Sequence, residues 1–232
     1  MVNRSLDSLE EKIGYFFKDR DLLKRALTHS SYANEQKINK LGDYERLEFL
    51  GDAVLELVSS EFIYNKYPDY PEGKLTRIRS SNVCEPALAY CAREFELDSF
   101  ILLGKGEEAT GGRKRDSIIS DVCEALIGAL YLDGGMKIAH DFIHRFILSD
   151  LEDKTLFLDS KSILQEMTQA ANHTSLDYRI VGEKGPDHDK EFTVDVFVGG
   201  KKAGRGIGKT KKAAEQAAAY EAVKRFKGSN NI

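Results

Sequence analysis

Apolar residues recur at helical spacing through most of residues 1–154. The pattern is clear in LDSLEEKIGYFF, in DYERLEFLGDAVLELVSSEFIYNKY and in SNVCEPALAYCAREF. It returns in RDSIISDVCEALIGALYLDGG and MKIAHDFIHRFILSDLEDK, so an all-helical first part is predicted. Pro68 and Pro71 break the second segment from the third, and Gly134-Gly135 stops the fourth as a glycine C-cap does. Residues 102–116 have the glycine density of a surface loop. The period changes after residue 158. SKSILQEMTQAAN reads as a helix, whereas LDYRIVGEK and KEFTVDVFV alternate with period two and are rich in β-branched and aromatic residues. Gly199-Gly200 is a two-residue hairpin signal, with a third short strand, KKAGRGI, beyond it. The alanine-rich KTKKAAEQAAAYEAVKRF closes the chain as a strong helix former. The predicted architecture is an all-α domain over 1–151, a linker over 152–158, and a small α+β domain of order α-β-β-β-α over 159–228.

Composition narrows the class. Of 232 residues 41% are hydrophobic and 31% charged, and 19 Gly with 4 Pro are too few for a fibrous or disordered chain. No apolar run approaches the roughly 18 residues that span a bilayer. The first residues show no apolar signal-peptide core, so a cytoplasmic protein without membrane attachment is expected. Cys84, Cys91 and Cys123 form no C-x-x-C pair, which argues against a disulfide framework or a thiolate zinc site; they read as core residues.

The net charge of −4 conceals an asymmetry. Residues 155–232 carry 13 Lys and Arg against 10 Asp and Glu, whereas the preceding part carries 21 against 28. Within 201–227 nine basic residues face two acids. An acidic front and a basic end suggest two modules, the second facing a polyanion. Charge alone favours the plainer reading, a solvated lysine-rich surface.

The acids carry the candidate chemistry. Glu45, Glu48, Asp52 and Glu56 fall on a narrow stripe of one helix at about 100° per residue. Asp121 and Glu124 stand at i, i+3 inside the apolar run IISDVCEALIGALYL, where full solvation is implausible. Two carboxylates at 4 Å repel by about 4 kcal/mol at an effective dielectric of 20, so convergence needs a proton, a basic side chain or a metal. Oxygen ligands without Cys or His suit Mg²⁺ or Mn²⁺, the ions of phosphodiester hydrolysis. The competing reading is an amphipathic helix with an acidic solvent face, which applies best to Glu45 and Glu56.

YERLEFLGDAVLELV (44–58) closely resembles the signature of the ribonuclease III family, whose core reads E-R-L-E-F-L-G-D. DSIISDVCEALIGALYLDGG (116–135) resembles the family's second acidic segment, and LTHSSYANE (27–35) and PEGKLTRIRS (71–80) resemble two further blocks in the expected order. The resemblance implies an all-helical endonuclease domain that forms a symmetric homodimer. It implies that Glu48, Asp52, Asp121 and Glu124 form a divalent-metal cluster binding Mg²⁺, with Mn²⁺ as a substitute, and that Asp52 and Glu124 are the catalytic pair. Glu45 and Glu72 match acids with supporting roles. The implied reaction is hydrolysis of double-stranded RNA to 5′-phosphate and 3′-hydroxyl ends with short 3′ overhangs, in the processing of rRNA, mRNA and tRNA precursors. Tyr44 departs from the pattern, since the family usually has Asn there.

The basic end resembles a double-stranded RNA-binding domain: DSKSILQEMTQ (159–169) its first helix, GPDH (185–188) its β1–β2 loop and GKTKKAAEQAAA (208–219) the start of its last helix. A-form RNA hides its bases in a deep major groove and shows 2′-hydroxyls in a shallow minor groove. Gln165 and Gln169 lie one helical turn apart and can address 2′-hydroxyls, and His188 is at the tip of a loop suited to a second groove. Lys209, Lys211 and Lys212 lie at a helix N-terminus, where the macrodipole also favours phosphate. Glu215 stands where many such domains carry another lysine. AGRGIGKT (203–210) misses a Walker A loop by one residue and lacks its βαβ context, so no nucleotide cofactor is expected. His140 and His144 at i, i+4 read as a helix-surface pair rather than metal ligands. The expected function is a Mg²⁺-dependent endoribonuclease specific for double-stranded RNA; the rival is a protein that binds such RNA without cutting it.

Overall fold

A computed structural model describes residues 5–37, 42–149, 156, 160–170, 175–185, 190–208 and 210–229. Two separately packed units divide the chain, Met1–Leu151 and Glu152–Ile232. The segment read as a linker, 152–158, lies outside the described residues except for Leu156.

The first unit is helical. α1 (Leu6–Ile13) is capped by Ser5, whose side chain accepts from Asp7 N–H, and ends at Gly14 with φ +74. α2 (Arg20–Ala26) and α3 (Ser30–Glu35) come next, the latter capped by the His29 ring. α4 (Glu45–Lys66) is the longest; Pro71 then precedes α5 (Glu72–Asn82), and α6 (Glu85–Glu94) has a proline in its first turn. Beyond these lie α7 (Lys105–Ala109), α8 (Asp116–Gly134) and α9 (Met136–Phe142), which runs on into a π turn over Ile143–Ile147. α8 is the axis of the core. Ile118, Ile119, Val122, Cys123 and the run from Ala125 to Leu130 are buried, so this helix is enclosed on nearly every side. Gly135, with φ +80, stops it.

Two expectations need correction. Residues 102–116 are not all loop, because α7 and a 3₁₀ turn over Gly112–Lys114 lie there. The Arg113 guanidinium grips the Glu108 carboxylate and donates to the Asp98 carbonyl at 2.7 Å, and these ties outweigh the glycine content. The apolar segment that begins at Ser81 is not one helix either. Ser81 and Asn82 end α5, and α6 starts afresh at Glu85.

The second unit is α+β in the expected order: α10 (Ser160–Ala170), β1 (Leu176–Lys184), β2 (Glu191–Val198), β3 (Lys201–Gly208) and α11 (Lys211–Ser229). The sheet is antiparallel in the order β1-β2-β3. Gly199 and Gly200 have φ +57 and +76 and join Val198 to its partner Lys201, the two-residue turn that only such backbones make without strain. Val194, Val196 and Leu164 pack against Ala214, Ala218, Ala219, Ala222 and Val223. The glycines of the near-Walker stretch serve this packing. A Cβ on Gly204 would stand 2.3 Å from the Ala218 carbonyl oxygen, on Gly206 2.2 Å from Ala218 N, and on Gly208 2.6 Å from Ala214 N.

Candidate metal centre and polyanion-facing surface

α4 and α8 cross backbone to backbone. A Cβ on Gly51 would stand 1.8 Å from the carbonyl oxygen of Glu124, and one on Gly128 2.2 Å from that of Leu47. Side chains larger than hydrogen would force the helices apart. Glu48 and Asp52 flank Gly51 on α4, and Asp121 and Glu124 lie on the facing stretch of α8.

Glu48 and Glu124 each sense both Asp52 and Asp121. Burial pushes the Glu124 carboxyl up to about 8, and the neighbours that reinforce the shift are Asp52, Glu48, Asp121 and Glu56. Burial likewise pushes Glu48 up to about 7, aided by Asp121, Glu45, Asp52 and Asp43. Asp121 is raised by burial and by Glu85, against opposing contributions from the Tyr44 and Ser120 hydroxyls and from His29. Asp52 is exposed.

No group of three or more His, Cys, Asp or Glu side chains able to hold a metal ion is assembled among the described residues. The donor chemistry nevertheless fits a hard divalent cation. The candidate ligands are carboxylates only, they stand on two helices in backbone contact, and the forces that dominate at Glu48 and Glu124 come from burial and from other acids.

The acidic stripe of α4 splits. Glu48 is half-buried and Asp52 exposed, and both act electrostatically on Glu124 of α8. Glu56 pairs with Arg79 of α5 at 2.9 Å, and Arg79 also donates to Ser60 Oγ at 2.8 Å. Glu45 is exposed; Glu72 is exposed too and accepts from Thr76 Oγ1 at 2.8 Å. The residue that sequence reasoning undervalued is Tyr44. It is 5% exposed, and its hydroxyl donates to Asp121 Oδ2 at 3.2 Å. Its departure from the family pattern was the one signal available.

In the second unit Gln165 and Gln169 are exposed on α10, and Lys211 and Lys212 are exposed in the first turn of α11. Thr210 caps that turn through its hydroxyl, 3.0 Å from Ala213 N. His188 and Lys209 lie outside the described residues. Glu215 accepts from Lys161 of α10 at 2.5 Å, and the Lys161 ammonium lies 4.9 Å from the centre of the Tyr178 ring. Cys91 and Cys123 are buried in the first core, with Cys84 at its margin. The His140 and His144 rings stack at 4.0 Å, and His144 meets the Phe62 ring edge-on at 5.1 Å.

Comparison with known proteins is consistent with this division. Residues 19–151 match the family model described as Ribonuclease-III-like, and residues 160–225 match the double-stranded RNA binding motif. The chain is 48% identical to Ribonuclease 3 of Enterococcus faecalis over 97% of this chain and 98% of that one. It is likewise 48% identical to Ribonuclease 3 of Oceanobacillus iheyensis over 93% of this chain and 95% of the relative. A solved nuclease domain of ribonuclease III from Campylobacter jejuni, described for structural flexibility in the region involved in dimer formation, is 41% identical with a TM-score of 0.58; the match covers 62% of this chain and 96% of that domain.

Proposed function

The chain belongs to the ribonuclease III family, and on that footing we propose that Glu48, Asp52, Asp121 and Glu124 hold the divalent cation of its nuclease centre, with Asp52 and Glu124 as the catalytic pair. The protein is an endoribonuclease that cuts double-stranded RNA. One observation carries the site assignment. Glu48 and Glu124 are acids raised by burial, and raised further by Asp52 and Asp121, across a helix contact that only glycines allow.

When bound, Mg²⁺, or Mn²⁺ in its place, supplies an activated water and charge neutralisation at the scissile phosphate. The four carboxylates bind and orient the ion, and the tight α4–α8 crossing fixes their spacing. Attack of water on phosphorus breaks the bond to the 3′ oxygen, leaving a 5′-phosphate and a 3′-hydroxyl. Gln165, Gln169 and the β1–β2 loop with His188 address the minor grooves, while Lys209, Lys211 and Lys212 address the intervening phosphates. The substrates on this reading are structured rRNA, mRNA and tRNA precursors in the cytoplasm. No described helix is long and apolar enough to cross a membrane.

A homodimer completes the reading. Phe49, Leu57 and Tyr64 are 81%, 59% and 71% exposed, and all three project from α4. Their spacing puts them within about 80° of one another around that helix, so they form an apolar stripe suited to a second copy. The rival, RNA binding without cleavage, is disfavoured because no acid of the set is replaced. Incubation of long duplex RNA with Mg²⁺ or with EDTA decides the matter. Cleavage is expected only with the metal, and Glu124→Gln is expected to abolish it with RNA affinity unchanged. Intact RNA under every metal condition would support the rival.

A further inference from the structure

The block LTHSSYANE is explained by none of the roles above, although it lies directly behind the acidic site. His29 caps α3: its Nδ1 accepts from Ser31 N–H at 3.1 Å and lies 2.7 Å from Ser31 Oγ. Ser31 Oγ in turn accepts from Gly104 N–H at 2.9 Å, so the imidazole is fixed by two chain segments. The Tyr44 ring rests on this imidazole, with centroids 5.7 Å apart at a 56° tilt.

Tyr44 is held at its backbone as well. Its N–H donates to Thr28 O at 3.0 Å, and its carbonyl accepts from Leu47 N and Glu48 N at 2.8 and 2.9 Å. The phenol is buried, and its hydroxyl reaches Asp121, 77 positions away in sequence. The partner atom is a carboxylate oxygen, so in this bond the phenol is the donor. A phenylalanine would fill the same space as the ring, so core packing alone gives no reason for a hydroxyl here.

We propose that Tyr44, braced by His29, is a positioning residue that holds the Asp121 carboxylate in the orientation required for binding the divalent cation. The proposal rests on the reading that Asp121 belongs to the cation site. A carboxylate on a helix can rotate about χ1 and χ2, and its affinity for an ion falls with the orientations it must give up. A donor on Oδ2 removes that freedom before the ion arrives, as outer hydrogen-bond partners of metal ligands do.

The test compares wild type, Tyr44→Phe and Asp121→Asn by Mn²⁺ binding to the RNA-free full-length protein, read by electron paramagnetic resonance. Each is also assayed for cleavage across a Mn²⁺ series. Tyr44→Phe is expected to bind Mn²⁺ about tenfold more weakly. Its thermal midpoint and RNA affinity should stay near wild type, and its kcat should recover at saturating metal. A purely structural role for Tyr44 would lower the midpoint and kcat and leave metal affinity alone, and that result would overturn the proposal. Wild-type Mn²⁺ affinity in Tyr44→Phe beside weak binding in Asp121→Asn would overturn the role of Tyr44 and keep the site. Wild-type affinity in Asp121→Asn would overturn the site assignment itself.

Discussion

Gly51 and Gly128 lie opposite each other where α4 and α8 touch: the position of a Cβ on Gly51 is 2.9 Å from Gly128 N, and that of one on Gly128 is 3.1 Å from Gly51 N. The contact sets the distance between Glu48 and Asp52 on one helix and Asp121 and Glu124 on the other. Gly51→Ala forces a methyl into the Glu124 carbonyl, and overpacking of this kind costs roughly 1–3 kcal/mol. The expected outcome is a lower thermal midpoint and loss of most metal-dependent cleavage, with RNA binding through the second unit retained. Cleavage at the wild-type rate in this variant would show that the crossing does not set the ligand spacing.

Raised acids make the metal-free protein sensitive to alkali. Glu48 and Glu124 move from 4.5 in the ordinary state to about 7 and about 8 in the fold. The folded chain therefore holds protons that the unfolded chain releases, and stability falls as pH rises from about 4.5 through about 8. In EDTA the thermal midpoint is expected to drop between roughly pH 4.5 and pH 8, and Mg²⁺ should restore most of the loss at the upper end. Glu124→Gln removes the most strongly raised of these titrations and should flatten the profile. An equally steep fall in that variant would place the effect elsewhere in the molecule.

The elements legible in the sequence were those with a strong period. α4 and α8 are long and apolar on the required positions, and the β-strands alternate up to a Gly-Gly turn whose backbone leaves little choice. The half-burial of Asp121 and Glu124 followed from the apolar residues around them. α5 was not legible as a helix, because its eleven residues, EGKLTRIRSSN, contain only Leu75 and Ile78 as large apolar side chains. The near-Walker spacing of the glycines at 204, 206 and 208 could be set aside for lack of a βαβ context, but their role as a close fit to the alanines of α11 depends on tertiary packing, which a short motif does not record. The Tyr44–Asp121 bond was beyond pattern reasoning for the same reason, since it joins distant segments through one rotamer. The division of the acidic stripe between α8 and Arg79 could not be read from helical spacing, which is blind to what each acid faces.

Glu215 holds the Lys161 ammonium at 2.5 Å, between α10 and α11, the helices that carry the proposed RNA-binding residues. The pair is partly exposed, at 38% and 30% for the two side chains, so its worth to stability is about 0–1 kcal/mol. Its effect on binding is larger in proportion, because a lysine held by a carboxylate releases no counterion when phosphate approaches. Glu215→Ala is expected to tighten duplex RNA binding severalfold near 150 mM salt and to steepen the plot of log affinity against log salt by up to about 1. Fluorescence anisotropy across a salt series measures both. An unchanged slope would mean that the freed lysine does not reach phosphate.

The last prediction concerns the two copies. Glu48, Asp52, Asp121 and Glu124 all come from one chain, so on the proposed reading a dimer would carry two separate acidic sets. If each set cuts one strand, a mixed dimer of wild type and Glu124→Gln has one active centre and should nick a single strand of a short hairpin. The inactive subunit would still contribute its RNA-binding unit, so affinity should match that of the wild-type dimer. Differently tagged subunits, co-expressed and purified by both tags, provide the hybrid, and a denaturing gel with each strand labelled reads the products. Phe49→Asp tests the pairing that the scheme requires, since a charge on the most exposed apolar side chain of α4 should yield monomers by sedimentation. Equal cutting of both strands by the hybrid at early times, before subunits exchange, would mean that one set serves both strands and that the second copy acts only to hold the duplex.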